Sequence, residues 1–161
     1  MDFGFGIPMR GPLANVESIS EIVTSGEELG FDIVTVSDHV VVPRHITSIY
    51  PYNEDGRFAG QDTGECLEQL TTLMAIAAIT NNLRLLTSVM VLPHRNPVLT
   101  AKILATIDVL SKGRLNVGCG VGCGVGCGVG CGVGCGVGLR RNLDVTYGMK
   151  GITLFFCQFY D

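Results

Sequence analysis

Charge is scarce in this sequence. Charged residues make up 16% of the 161, and the formal net charge is −4 with a pI near 5.3. With no basic footprint, nucleic acid is not an expected partner. Outside one glycine-rich tract, no apolar run of about 18 residues lacks charge, so no membrane partner is expected. The tract itself is half glycine and makes a poor membrane helix. Met1-Asp2-Phe3-Gly4 is not a positively charged start followed by an apolar run, so no signal peptide is expected and a cytoplasmic location is the default. Several motifs are missing too. A Rossmann fingerprint needs glycines at offsets of two and five, and the tract offers only even offsets. There is no P-loop lysine, no Gly-x-Ser-x-Gly elbow and no His-Glu-x-x-His zinc helix. Seven cysteines would ordinarily invite a disulfide or metal reading, but five of them (Cys119, Cys123, Cys127, Cys131 and Cys135) belong to the tract. Only Cys66 and Cys157 remain, so no metal site is expected.

What is present is apolar patterning. Hydrophobic residues reach 47%, and the length is enough for one domain with a buried core. Residues 2–8 read as a short strand closed by Pro8 and a Gly11-Pro12 turn. Residues 15–29 read as a helix with a Ser18/Glu21 capping box and an inner stripe of Ile19, Ile22, Val23 and Leu29, stopped by Gly30. Ile33-Val34-Thr35-Val36-Ser37 is the β-branched run of a strand buried on both faces. Residues 38–64 form a long polar loop. A helix over 65–80 follows, capped by Asp62 with Glu65, burying Leu67, Leu70, Leu73, Met74 and Ala77. Residues 84–92 form a strand ended by Pro93. Asn96 caps a third helix with Pro97 at its first position and Leu99, Ile103, Ile107 and Leu110 facing inward. Leu115 opens a fourth strand. The order β-α-β-loop-α-β-α-β means parallel βαβ units, in either a doubly wound sheet or a (β/α)8 barrel.

In both architectures ligands bind at the carboxyl ends of the strands. Three places qualify. Asp38-His39 follows the second strand; histidine is the side chain most easily used as acid or base near neutral pH, and a carboxylate can orient it. The plain alternative is a capping Asp and a solvated His. Thr87-Ser88-Val89-Met90 puts small polar residues in an apolar strand, which mark a bulge, a close ligand approach or satisfied core positions. The glycines ending strand four let a flat ring or a phosphate approach the backbone.

Separated motifs in this order resemble the luciferase-like (bacterial luciferase-type) oxidoreductases. They are Phe5-Gly6-Ile7-Pro8, Glu27-Glu28-Leu29-Gly30-Phe31-Asp32, Val36-Ser37-Asp38-His39, Tyr50-Pro51-Tyr52 with Asp55-Gly56-Arg57-Phe58, and Thr87-Ser88-Val89. Leu92-Pro93-His94-Arg95-Asn96-Pro97-Val98-Leu99, Ala101-Lys102 and Leu110-Ser111-Lys112-Gly113-Arg114-Leu115 complete the set. The resemblance covers residues 1–122 and implies the amino-terminal half of a (β/α)8 TIM barrel, about four βα units. It implies a cofactor across the carboxyl-terminal mouth, either the 8-hydroxy-5-deazaflavin coenzyme (coenzyme F420) or, alternatively, FMN. Asp38 and His39 would lie at that cofactor, with His39 catalytic in proton transfer. Ser88 and Val89 would join through a non-proline cis peptide against the ring, and Gly120 and Gly122 would pass beneath it. The implied reaction is hydride transfer between the coenzyme and a small-molecule substrate; with FMN, monooxygenation.

The sequence then departs from the family pattern. Where relatives continue with Trp and a Glu-Glu-Phe helix start, Cys123 and further Val-Gly-Cys-Gly copies stand, and then Leu139-Arg140-Arg141-Asn142. Residues 123–138 are therefore a Gly/Cys low-complexity repeat and 139–161 an unassigned tail, read as out of frame or sticky and without strand partners. Strands five to eight, and the phosphate loops after strands seven and eight, are not expected. A half-barrel leaves open sheet edges, so self-association into a homo-oligomer is a further expectation. The four-residue period fits copying of a twelve-base unit. Resequencing tests it: a family-like Trp-x-x-Glu-Glu-Phe continuation supports copying, and an intact repeat refutes it.

Overall fold

The computed structural model describes residues 1–43, 45–47, 49–50, 54–58, 63–120 and 153–156. In chain order the elements are β1 (Gly4–Gly6), α1 (Val16–Glu28), β2 (Ile33–Val36), α2 (Gln69–Ile79), β3 (Arg84–Val91), a 3-10 turn (Leu92–His94), α3 (Pro97–Leu110), β4 (Leu115–Gly120) and β5 (Thr153–Phe156). The strands form one parallel sheet in the order β1-β2-β3-β4-β5.

Register assigns the two faces. Phe5, Val34 and Leu85 align across β1 to β3, and Leu85 pairs with Leu115. That row joins one core with Ile19 and Val23 of α1, Leu70, Leu73 and Ile76 of α2, and Leu104 and Ile107 of α3. All three helices therefore cover the same face, as right-handed βαβ crossovers demand. On the opposite face Gly6, Thr35, Leu86 and Asn116 align, and each is half-buried or exposed. Such a surface is the inward face of a barrel wall.

Local signals explain most boundaries. Asn96 caps α3 by accepting from the Leu99 amide at 3.0 Å, with Pro97 next, as the sequence predicts. Gly30 follows α1 at φ +83°, a conformation that glycine adopts without strain. Four expectations need correcting. The cap of α1 is Asn15, accepting from the Ser18 amide at 2.8 Å, because the asparagine stands one turn ahead of the supposed capping box. The cap of α2 is Glu68, accepting from the Thr71 amide at 2.7 Å, so this helix starts four residues later than expected; Asp62 lies outside the described residues. The buried side of α3 carries Thr100, Leu104, Ile107 and Asp108, while Leu99 and Leu110 are exposed. Apolar residues lie all round this helix, so periodicity found Ile103 and Ile107, which pack on the core, but misplaced the ends of the stripe. Leu29 is exposed as well, since α1 has ended before it.

The tail also differs from expectation. Thr153–Phe156 pairs in parallel with β4, from Asn116↔Thr153 to Cys119↔Phe156. Threonine, leucine and two phenylalanines suit a strand, and an uncovered β4 edge offers unpaired backbone groups to one.

Two charged side chains lock the amino end of the sheet. Glu27 accepts from the backbone amides of Asn81, at 3.0 Å, and Leu83, at 2.9 Å, and also from Asn82. Burial alone would raise its pKa, but the amides of Asn82, Leu83 and Asn81 outweigh that and hold it below the ordinary value. Arg114 donates to the carbonyls of Ala77, Thr80, Leu83 and Ser111 and to the Thr80 hydroxyl, all at 2.8–2.9 Å. It thereby closes the carbonyls left open at the end of α2.

Candidate active site

The site is built where β2, β3 and β4 end. Asp38 follows β2 by two residues, and its side chain is 1% exposed. One carboxylate oxygen accepts from the Val91 amide at 2.8 Å and the other from Arg95 Nη2 at 2.6 Å. Val91 in turn pairs with Gly120 of β4. Arg95 also donates from Nη1 to Glu68 at 2.7 Å, and the other Glu68 oxygen caps α2. One chain of contacts thus ties β2, β3, the 3-10 turn and α2 together. Burial alone would lower the Arg95 pKa, but hydrogen bonding to Glu68 and the Asp38 charge outweigh it and raise it, so the guanidinium stays charged. Two links to backbone carbonyls finish the clasp. Gln69 Nε2 donates to the Val36 carbonyl at 2.7 Å, and the Leu67 amide donates to the Met9 carbonyl at 2.9 Å.

His39 is half-buried beside this clasp. Its ring lies 5.1 Å from that of Phe58, centre to centre, and its buried Nδ1 finds no hydrogen-bond partner among the described residues. Burial, helped by the positive charge of Arg10 and opposed by Asp38, pushes its pKa below 6.5. The imidazole is therefore neutral at pH 7, the form that accepts a proton.

Ser88 and Val89 stand in β3 with a cis peptide bond between them, the geometry that the resemblance implies. Pairing between β3 and β4 slips there, between Thr87 and Met90. Ser88 is exposed on the inward face and Val89 is buried. The slip brings the strands so close that a Cβ on Gly118 would sit 2.4 Å from the Thr87 carbonyl oxygen. Only glycine fits at 118. Cys119, the first cysteine of the repeat, belongs to the apolar core, and burial pushes its thiol up to about 11. It is no thiolate nucleophile at neutral pH.

The structure therefore brings Asp38, His39, Ser88, Val89 and Gly120 to the carboxyl-terminal side of the sheet, while Gly122 lies outside the described residues. Sequence reasoning missed Arg10, Glu68 and Gly118 as parts of this end, and read Arg95 and Phe58 only as motif letters. A cleft of about 510 Å³ opens beside them, lined by Ile7, Pro8, Met9, Arg10, Gly11, Ser37, Thr63 and Glu65.

A half-barrel wall with its polar groups gathered at the strand carboxyl ends is the scaffold of a (β/α)8 enzyme. The chain belongs to the luciferase-like monooxygenase family, whose model matches residues 1–126. Uncharacterized proteins of Mycobacterium bovis and Mycobacterium tuberculosis are each 32% identical to it over 94 residues, which is 58% of this chain and 33% of theirs. The chain thus spans about a third of the length of those relatives. Among solved structures it is similar in fold to the coenzyme F420 dependent tetrahydromethanopterin reductase of Methanopyrus kandleri (TM-score 0.53, 24% identity, 76% of this chain and 27% of that one). Riboflavin lyase gives a TM-score of 0.56 at 20% identity, with 73% and 29% covered. The oxygenating constituent of 3,6-diketocamphane monooxygenase from Pseudomonas putida, solved with FMN, gives 0.53 at 18%, with 76% and 30% covered. Among the described residues no helix is long and apolar enough to cross a membrane.

Proposed function

We propose that this chain carries one wall of a redox site for hydride transfer between the 8-hydroxy-5-deazaflavin coenzyme (coenzyme F420) and a small organic substrate. The observation that carries the reading is a neutral, half-buried His39 whose Nδ1 lacks a partner among the described residues, at the same strand ends as the exposed Ser88. A flat ring would lie on the inward face, where Gly6 is exposed and Thr35, Leu86 and Asn116 are half-buried, next to the exposed Ser88. When bound, the coenzyme supplies the hydride acceptor or donor. His39 takes up or returns the accompanying proton at the substrate heteroatom. Ser88, Val89 and Gly120 would form the floor under the ring, and Asp38 would act on it indirectly by fixing the strand ends; Gly122, expected in the same role, lies outside the described residues.

A second reading within the family is FMN-dependent monooxygenation, supported by the similarity in fold to an enzyme solved with FMN. A third is a half-barrel that associates with its own copies through the edge strands β1 and β5, in which case it needs no coenzyme. Titration of the chain with coenzyme F420 and with FMN, followed by fluorescence, separates them. A change with coenzyme F420 alone supports hydride transfer, and one with FMN alone supports monooxygenation. No change with either, together with a concentration-dependent mass in solution, supports the half-barrel. The described wall would contact one side of a ring, so affinity weaker than micromolar is expected, and micromolar binding would refute that expectation.

A further inference from the structure

The cleft beside His39 has a feature that the redox reading does not use. The Arg10 guanidinium carbon lies 4.2 Å from the centre of the Phe58 ring, and the His39 ring lies 5.1 Å from that same ring. Two nitrogen-bearing groups thus border one aromatic surface. Each keeps a buried nitrogen, Arg10 Nη1 and His39 Nδ1, without a hydrogen-bond partner among the described residues. A buried guanidinium N–H without an acceptor is costlier than a neutral donor. Among the described residues the neighbouring acids do not supply one: both Asp38 oxygens are taken by Val91 and Arg95, and Glu65 is exposed at the cleft rim. Arginine's planar fork suits a pair of carboxylate or phosphate oxygens. Ile7, Pro8 and Met9 give the cleft an apolar side, and Ser37 and Thr63 add hydroxyl groups to its lining.

We propose that Arg10 anchors an anionic group of the substrate, a carboxylate or a phosphate, in this cleft. The apolar body of such a substrate lies along Ile7, Pro8 and Met9, and its reacting carbon turns toward His39. This deepens the proposed function and rests on it for the role of His39. The same oxygens are also carried by a coenzyme phosphate. The cleft, however, lies at the ends of β1 and β2, away from the β3 and β4 ends that floor the ring.

The test is an NMR titration of His39 in the intact chain, with and without sodium benzoate, the resonance being assigned by its loss in His39→Gln. The charges facing His39 are Arg10 and Asp38, with Cys66 in the same surroundings. Benzoate held by Arg10 adds a negative charge there and should raise the His39 midpoint by about half a unit or more. Arg10→Gln should abolish this shift and Arg10→Lys should retain part of it. Glu65→Gln, which removes a rim negative charge and no internal contact of the clasp, should tighten benzoate binding by about threefold. No shift in the unaltered chain up to about 100 mM benzoate at constant ionic strength overturns the proposal. So does an undiminished shift in Arg10→Gln. Loss of the benzoate shift on adding FMN would give the anion site to the coenzyme phosphate and overturn the substrate assignment. Because the titration reads binding without turnover, it can fail while the redox reading stands, and succeed where no coenzyme binds.

Discussion

At the amino end of the sheet, Arg114 makes five hydrogen bonds and Glu27 accepts from three successive backbone amides. At the carboxyl end, Asp38, Arg95 and Glu68 form a clasp of the same materials, yet matching there is incomplete. Four buried side-chain atoms lack partners among the described residues: Arg10 Nη1, His39 Nδ1, Gln69 Oε1 and Arg95 Nε. All four stand after β1, β2 or β3 or at the start of α2, on the carboxyl side. An unmatched buried polar group costs about 1–3 kcal/mol, so concentrating them at one end sacrifices stability there. Among the described residues, one end is matched and the other is left with open groups. Barrel enzymes divide their labour in the same way, with stability below and chemistry above.

Three changes would break or sharpen this contrast. Arg114→Ala should act most strongly, lowering unfolding free energy by about 3 kcal/mol, because it strands several half-buried carbonyls at once. An unchanged urea midpoint would mean that the amino end is no lock. Asp38→Asn should cost less, about 1–2 kcal/mol, since an amide cannot accept from both Val91 and Arg95. It should also lower the His39 midpoint in an NMR titration, because burial and Arg10 would then act without the opposing Asp38 charge. A stability loss with no change at His39 would separate the clasp from the site.

The smallest effect is on acidification. The folded-state pKa of His39 lies below 6.5, so its contribution is complete above pH 6.5 and declines as pH falls toward that lower value. Glu27 is likewise depressed, below 4.5, so its contribution is complete above pH 4.5 and declines only under more acid conditions. Hydrogen exchange should therefore quicken at the carboxyl-end loops before it quickens around Asn81 to Leu83. The reverse order would contradict the assignment of roles.

Much of the scaffold was legible in the residues. Four strands, three helices, the Asn96-Pro97 start and the Gly30 stop were written in local patterns that need no tertiary knowledge. The positions Asp38, His39, Ser88 and Val89 were legible as a group because parallel strands deliver their ends to one side. Their partners were not. Arg95 lies 57 residues from Asp38, and Glu68 lies 27 residues from Arg95, so the clasp is a product of folding and not of spacing. Arg10 follows a short glycine-flanked strand and carries no signal until Phe58 is brought beneath it. The buried side of α3 was only half read, Ile103 and Ile107 correctly and Leu99 and Leu110 not, because apolar residues surround this helix. Val98, Leu99, Val109 and Leu110 are all exposed.

The slip between β3 and β4 should leave peptide groups unmatched, but Thr87 fills the gap from the side. Its hydroxyl accepts from the Gly118 amide and donates to the Gly118 carbonyl, both at 2.8 Å. One side chain thus stands in for a missing stretch of neighbouring backbone. The vocabulary at position 87 narrows accordingly to threonine and serine, for valine, nearly identical in shape, has nothing to say to either group. Beside the proposed ring site, a hydroxyl that an inventory of reactive groups would nominate as chemistry is spent on carpentry.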